Sequence, residues 1–271
     1  MAETGYAPVN GLNMYYEVHG EGRPTLLLHG AYQTADTLGP FLPGLAEGRQ
    51  VIVPELQGHG RTADIDREMS YEHFADDAAA LLRHLEIEQA DVVGYSMGGA
   101  AALQLAIRHG ALIRRLVLMS TGFSSDSAHP EALAMFPTIT PEMFAGSPME
   151  AEYKRLSPRP DDFPEIVMKI KELDVNEFRW PEDDIRAIAA PTLIVVGDSD
   201  VVRLEHVLEL FRLRGGGVMG DLSGVPESRL AVLPGTTHFI PPGCGLLDRA
   251  DWLLAMVPPF LDGADASPGS G

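Results

Sequence analysis

The chain is poor in cysteine and in positive charge. Cys244 is the only cysteine in 271 residues, so an internal disulfide and a metal site built from several cysteines are both excluded. Lysine occurs only at positions 154, 169 and 171, and 20 basic residues face 39 acidic ones. The formal net charge of −19 argues against nucleic acid or an anionic membrane as a partner, because both need a basic surface.

Long apolar runs are also missing. No run approaches the roughly 20 residues of a membrane span, and residues 1–5 lack the basic and apolar regions of a secretory signal. We therefore expect a soluble, cytoplasmic protein. Hydrophobic residues make up 45% of the chain, enough for one large α/β domain with or without an insertion.

The most informative stretch is Gly-x-Ser-x-Gly at residues 94–98, which holds Ser96. A β-branched run precedes it, and the Ala and Leu positions that follow predict a helix beginning at Met97. A strand, a sharp turn and a helix are the context that gives this motif meaning, because the glycines let strand and helix approach closely while the serine hydroxyl stands clear. The helix also directs unpaired N–H groups toward the serine, where an oxyanion would form. The stretch therefore predicts a catalytic serine.

Several continuous apolar runs surround this motif, at residues 25–28, 50–54, 115–119, 192–196 and 229–233. Runs without alternation indicate strands buried on both faces of a parallel sheet. A hairpin strand is expected at residues 12–19, and helices at residues 71–84, with Ser70 as N-cap, 204–213 and 246–261. Alternation of strands and helices predicts an α/β fold with a doubly wound, mostly parallel sheet.

The alternation stops between residues 122 and 190. This segment is rich in Pro, Met, Phe and acidic residues and has no β-branched run, so we expect five short helices forming an inserted cap. Residues 1–121 and 191–262 would then form the core. Residues 215–228 are expected to form a polar, mobile loop, and residues 263–271 a disordered tail.

Ser96, an aspartate near residue 200 and His238 each follow a different buried strand. Their order, together with His29-Gly30, Gly-His-Gly at residues 58–60 and Gly-x-x-Asp at residues 197–200, resembles the α/β-hydrolase superfamily, in particular its esterase-like branch with a serine nucleophile and a helical cap. The resemblance covers nearly the whole chain. It is specific for the fold and much less so for the substrate.

The resemblance implies a role for each of these residues. His238 is expected to act as general base and later as acid, Asp200 to orient it, and the N–H groups of Ala31 and Met97 to form the oxyanion hole. Asp198 would instead bind N–H groups of a turn.

Four further histidines, at positions 73, 84, 109 and 206, fall on helical patterns and are expected to be exposed or to cap helices. His29 is expected to shape the oxyanion turn, and His59 to hold a loop. Glu55 and Thr62 stand where the family often has Asp and Ser, which affects local loop geometry only. No cluster has metal-ligand spacing, so neither a metal nor another cofactor is expected.

The cap supplies adaptable apolar side chains that either roof a pocket over Ser96 or form ordinary core. The candidate pocket residues from the cap are Met135, Phe136, Met143, Phe144 and Trp180. Two further candidates, Tyr32 and Phe239, lie beside the site in the core.

The sequence therefore predicts a cofactor-free serine hydrolase that cleaves a small to medium carboxylic ester through an acyl-enzyme. Serine at the elbow argues against dehalogenases and epoxide hydrolases, which need a carboxylate nucleophile. Carbon–carbon bond hydrolases usually have Trp after the histidine, where this chain has Phe239, and rank lower. A cofactor-free perhydrolase, a lyase and a binding protein that retains the triad are further alternatives. The sequence does not determine the natural substrate or the oligomeric state.

Overall fold

The computed structural model of the protein describes residues 2–239 and 242–263. Its sheet has eight strands in the order β1-β2-β4-β3-β5-β6-β7-β8. The strands are β1 (Glu3–Val9), β2 (Leu12–His19), β3 (Arg23–Leu28), β4 (Arg49–Pro54), β5 (Ala90–Tyr95), β6 (Ile113–Met119), β7 (Thr192–Ser199) and β8 (Arg229–Thr237). Strand β2 pairs antiparallel with β1 and β4, and the other pairs are parallel. The predicted mostly parallel α/β fold is confirmed.

Ten α-helices surround the sheet in the described residues. They are α1 (Phe41–Leu45), α2 (Tyr71–His84), α3 (Met97–Arg108), α4 (Pro130–Met135), α5 (Pro148–Leu156), α6 (Phe163–Val175), α7 (Glu182–Ala187), α8 (Leu204–Leu213), α9 (Gly220–Ser223) and α10 (Ala250–Asp262). None of them combines the length and the apolar character needed to cross a bilayer. Ser70 caps α2 as expected, accepting the N–H of His73 at 3.1 Å.

Both faces of the sheet are buried, which explains the continuous apolar strands. Leu26 and Leu28 of β3 point into a core shared with α2, α3 and α8, whereas Leu27 points into a second core shared with α1 and α10. Adjacent residues of a strand face opposite sides, so each central strand must be apolar throughout. Its carboxyl end is then the place where polar side chains can gather.

Helices α4–α7 occupy the segment between β6 and β7, where the cap was expected. Helix α6 fastens this segment to the larger core through the fully buried Val167 and Ile170. The expected loop at residues 215–228 contains the short helix α9. Residues 264–271, most of the expected tail, lie outside the described residues, and Gly263 ends α10 in a left-handed conformation.

Candidate active site

Ser96 lies in a sharp turn between β5 and α3. Its backbone has φ 54° and ψ −119°, a conformation that costs energy for any residue with a side chain. The turn is as tight as the motif requires, because a Cβ on Gly98 would lie 2.3 Å from the carbonyl oxygen of Leu28, and one on Gly94 would lie 2.3 Å from that of Gly98. Glycine at both positions therefore lets α3 begin directly against the sheet and presents the Ser96 hydroxyl at its carboxyl edge.

The three predicted triad residues meet in one chain of hydrogen bonds. Ser96 Oγ lies 2.8 Å from His238 Nε2, and His238 Nδ1 lies 2.8 Å from Asp200 Oδ1. An ionised carboxylate can only accept, so Nδ1 carries the proton and Nε2 is free to accept from the serine hydroxyl. The His238 side chain is 24% exposed whereas that of Asp200 is fully buried, so a substrate can reach the imidazole and the serine but not the carboxylate.

Asp200 is held by several donors besides His238. Its carboxylate accepts from the Ser120 hydroxyl at 2.5 Å, the Val202 N–H at 3.1 Å and the Gly197 N–H at 3.4 Å. Burial raises the pKa of Asp200, but the hydrogen bonds and the positive charge that His238 can carry outweigh burial and leave the pKa below its ordinary value. The carboxylate is thus ionised at neutral pH and fixed in direction.

Two residues that help position the triad were missed from the sequence. Ser120 follows β6 with a positive φ of 50°, which turns its hydroxyl toward Asp200. Tyr95 donates its hydroxyl to the backbone carbonyl of His238 at 2.6 Å, and the two rings stack with centroids 5.4 Å apart. No local pattern could reveal either contact, because Ser120 lies outside every motif and Tyr95 lies 143 positions from its partner.

Asp198 makes the turn contacts that were expected of it. Its carboxylate accepts the N–H of Gly235 at 3.0 Å and that of Thr236 at 3.3 Å, which ties the end of β7 to the end of β8. Asp248, the other nearby carboxylate, accepts the N–H groups of Gly243 and Gly245. Neither aspartate has a hydrogen bond to His238 in the described residues.

The turn after β3 is built on a buried histidine, as expected. His29 Nδ1 donates to the Gly30 carbonyl at 2.8 Å, and its Nε2 accepts the N–H of Leu56 at 3.0 Å. Burial, with a contribution from neighbouring His59, lowers the pKa of His29 to about 3, so the ring is neutral and structural. The Gly30 N–H donates to Gln33.

In this arrangement the Ala31 and Met97 N–H groups make no hydrogen bond within the described residues. Both remain available to a ligand.

The Gly-His-Gly loop accommodates the two departures from the family pattern locally. Glu55 is fully buried and accepts from the Arg61 guanidinium at 2.7 Å, while the Thr62 hydroxyl accepts the N–H of Tyr15. Burial raises the pKa of Glu55 to about 7, although Arg61 acts in the opposite direction. The departures therefore place a buried carboxyl and its arginine partner in this loop, and neither Glu55 nor Thr62 has a hydrogen bond to a triad residue in the described residues.

The candidate pocket residues occupy different environments. The Tyr32 and Phe144 rings pack with centroids 4.8 Å apart beside the oxyanion turn. Phe136 lines a cavity of about 570 Å³ within the cap. Trp180 is 6% exposed and packs against Tyr71 and Phe178, which is a core environment.

Three of the pocket candidates are exposed, and one histidine expectation needs correction. Met135 and Met143 are 51% and 64% exposed, so neither belongs to the packed core of the cap. Phe239 directly follows His238 but is 46% exposed. His206 is 2% exposed, accepts the N–H of Phe123 at 3.1 Å and stacks on its ring, because the face of α8 that carries it packs against the core.

No three His, Cys, Asp or Glu side chains in the described residues are grouped so that they could hold a metal ion.

Comparison with known proteins relates this geometry to a family. The chain is 29% identical to a 2-hydroxymuconate semialdehyde hydrolase of Pseudomonas putida, over 91% of this chain and 90% of that protein. It is 26% identical to a non-heme haloperoxidase of Rhodococcus erythropolis, over 84% and 90%.

Among solved structures, a meta-cleavage product hydrolase from Pseudomonas fluorescens superimposes with a TM-score of 0.73 at 21% identity, covering 97% of this chain and 98% of that one. The family model for the α/β hydrolase fold matches residues 24–163, just over half of the chain. The protein therefore belongs to the α/β-hydrolase fold family.

Proposed function

We propose that this protein is a serine hydrolase that cleaves small to medium carboxylic esters through an acyl-enzyme. Membership of the fold family and the similarity to a hydrolase over nine-tenths of both chains support hydrolase chemistry. The observation that carries the proposal is the continuous chain of hydrogen bonds from Ser96 through His238 to Asp200. Such a chain serves to make a serine hydroxyl nucleophilic at neutral pH.

The first half of the reaction transfers the acyl group to Ser96. As Oγ attacks the ester carbonyl, Nε2 of His238 takes its proton, and the negative charge on the carbonyl oxygen is met by the free N–H groups of Ala31 and Met97. The imidazolium then gives this proton to the departing alkoxide while the carbon–oxygen bond breaks. Asp200 stays ionised throughout and stabilises the imidazolium.

In the second half, water releases the acyl group. His238 removes a proton from a water molecule as it attacks the acyl carbonyl, and it returns that proton to Ser96 Oγ as the acyl–serine bond breaks. The partial exposure of His238 gives water access to this face. The products are a carboxylic acid and an alcohol, and the enzyme returns to its starting state.

Two further activities deserve testing because relatives name them. Similarity to the 2-hydroxymuconate semialdehyde hydrolase supports carbon–carbon bond hydrolysis as a second candidate activity of this chain, although Phe239 stands where such hydrolases usually have Trp after the histidine. Similarity to the haloperoxidase supports a third candidate, the attack of hydrogen peroxide on the same acyl-enzyme, which would yield a peracid. Both use the triad, so only the substrate distinguishes them from ester hydrolysis.

A panel of p-nitrophenyl esters of rising acyl length, assayed with wild type and Ser96→Ala, tests the proposal. We expect turnover by wild type on at least the shorter esters and none above background with Ser96→Ala. 2-Hydroxymuconate semialdehyde and an ester with added hydrogen peroxide are assayed in parallel. Ester turnover that survives in Ser96→Ala, or turnover of the semialdehyde alone, would contradict the proposal.

A further inference from the structure

The backbone around His238 is held by a segment that follows it closely in the chain, residues 242–246, which we call the return segment. The N–H of Thr237 donates to the Cys244 carbonyl at 2.8 Å, and the N–H of Leu246 donates to the His238 carbonyl at 3.3 Å. The triad histidine is therefore hydrogen-bonded to the return segment through its own carbonyl and through the residue before it.

One carboxylate oxygen closes the return segment. Oδ2 of Asp248 accepts the N–H of Gly243 at 2.9 Å and that of Gly245 at 3.0 Å, and the Asp248 N–H donates to the Gly245 carbonyl at 3.0 Å. Gly245 also lies against the residue after His238, because a Cβ on it would be 3.0 Å from the Phe239 carbonyl oxygen. Asp248 thus fixes the return segment where it meets the neighbours of the triad histidine.

The His238 carbonyl has a second donor, which comes from the elbow. The Tyr95 hydroxyl donates to it at 2.6 Å. Tyr95 is 3% exposed, and burial raises the pKa of its hydroxyl, so the hydroxyl keeps its proton at neutral pH and remains a donor. Since Tyr95 immediately precedes Ser96, this bond joins the backbone of the base to that of the nucleophile. Two donors, from the elbow and from the return segment, therefore meet on one carbonyl.

The base needs such support because its ring is open on one side. The His238 side chain is 24% exposed, yet its Nε2 must stay near the 2.8 Å that separates it from Ser96 Oγ. Proton transfer requires a separation of about 2.6–3.2 Å between the heavy atoms, and a displacement of about 1 Å lowers the rate by up to about 10²-fold. Backbone contacts are thus able to set the rate without touching the substrate.

We propose that Asp248 is a positioning residue of the reaction. By closing the return segment it holds the His238 carbonyl together with Tyr95, and so keeps Nε2 within reach of Ser96 Oγ. This inference rests on the proposed serine hydrolysis and deepens it by naming what holds the base. It also gives Asp248 a role that differs from that of Asp200: Asp248 serves as a hydrogen-bond acceptor, and its charge is not required.

The test compares two substitutions of Asp248. Asp248→Ala removes the acceptor, and because Asp248 is exposed it takes away no core packing. We expect kcat on p-nitrophenyl acetate to fall by about 10-fold while KM stays within about 2-fold, since His238 acts in both halves of the reaction. Asp248→Asn keeps one oxygen, and a single oxygen accepts both N–H groups, so this variant should restore most of the loss.

The matched control is Asp251→Ala. Asp251 is an exposed carboxylate in the first turn of α10, so its replacement changes the net charge by the same amount near the same helix end. We expect kcat of this variant to stay within about 2-fold of wild type.

Tyr95→Phe tests whether the two donors act on the same carbonyl. This variant keeps the ring and removes the hydroxyl, so the return segment becomes the remaining hold on the His238 carbonyl. Asp248→Ala should then lower kcat by about 50-fold relative to Tyr95→Phe alone, a deeper fall than the one expected in wild type. The same fall in both backgrounds would contradict a shared point of action.

A role in stability alone gives a different result. Asp248→Ala would then have a lower unfolding midpoint and an unchanged kcat at room temperature, and this outcome would overturn the inference. A fall in Asp248→Asn as deep as that in Asp248→Ala would also overturn it, because the charge rather than the accepted hydrogen bonds would then matter.

A second measurement separates this inference from the proposed function. A fluorophosphonate probe reacts with a serine that a base activates, whichever substrate the enzyme uses. If wild type hydrolyses no ester, the proposed function fails, and the labelling rate of Ser96 still tests Asp248. We expect Asp248→Ala to be labelled about 10-fold more slowly than wild type and Asp251→Ala at the wild-type rate. Equal labelling rates in wild type and Asp248→Ala would contradict the role of Asp248.

Discussion

Replacement of Asp200 by Asn tests how the triad carboxylate works. Oδ1 accepts from His238 at 2.8 Å and from the Val202 N–H at 3.1 Å, while Oδ2 accepts from the Ser120 hydroxyl. An amide has one acceptor oxygen and one donor nitrogen. If the oxygen stays toward Val202, the nitrogen can donate to Ser120, and His238 keeps its tautomer but loses the negative charge that stabilises the imidazolium. If the amide turns over, the wrong tautomer is selected.

These two orientations of the amide set the lower and upper limits of the expected fall in kcat. Loss of the charge alone should lower kcat by about 10²-fold, and the wrong tautomer by about 10⁴-fold, which corresponds to about 5.5 kcal/mol. We therefore expect kcat of Asp200→Asn on a p-nitrophenyl ester to fall within this range. Circular dichroism and the unfolding midpoint check that the variant is folded.

Asp198→Asn is the matched control, since it makes the same change two residues earlier. Asp198 is exposed and accepts two N–H groups near the end of β8, so this variant should lose some stability and keep kcat within a few-fold of wild type. A collapse of kcat in Asp198→Asn with Asp200→Asn near wild type would refute the assignment of the acid.

Further expectations follow from the buried groups around the site. Because burial raises the pKa of Glu55 from 4.5 to about 7, the folded state binds this proton more tightly. The contribution of this proton to the free energy of unfolding is therefore full below about pH 4.5 and is lost as pH rises to about 7. Urea denaturation across this range should show a smaller decline in the free energy of unfolding for Glu55→Gln than for wild type. Phe144→Ala, which removes the ring on Tyr32, should change the kcat/KM ratio between short and long acyl esters by about 10-fold. Trp180→Ala should instead lower the free energy of unfolding by about 3–5 kcal/mol. An equal loss of kcat/KM toward every ester in both variants would contradict the assignment of Phe144 to the pocket and Trp180 to the core.

The strands and the elbow could be predicted because their signals are local. Strand β3 must be apolar throughout, as it is buried on both faces, and Gly98 is required by the approach of the Leu28 carbonyl. Strand β1, which contains Gly5 and Pro8, carries no such signal and was not predicted. It forms because β2 offers an antiparallel partner along its whole length.

The surroundings of the site depended on contacts that sequence patterns do not contain. Spacing predicted a helix at His206 but did not show which side of that helix is buried. The same limit applies to Met135 and Met143, since composition cannot distinguish a pocket wall from an exposed helical face. The Tyr95 hydroxyl reaches the His238 carbonyl from 143 positions away in the chain, and only the folded chain brings the two together.

The most direct measurement of the central claim is the detection of an acyl group on Ser96 during turnover. Wild type is mixed with a p-nitrophenyl ester, quenched with acid within the first turnover, digested and examined by peptide mass spectrometry. We predict an initial burst of about one p-nitrophenol per chain, together with a mass increase equal to the acyl group on the peptide that holds Ser96. Steady ester turnover with no acyl group on that peptide, or an acyl group at another residue that persists in Ser96→Ala, would contradict the account.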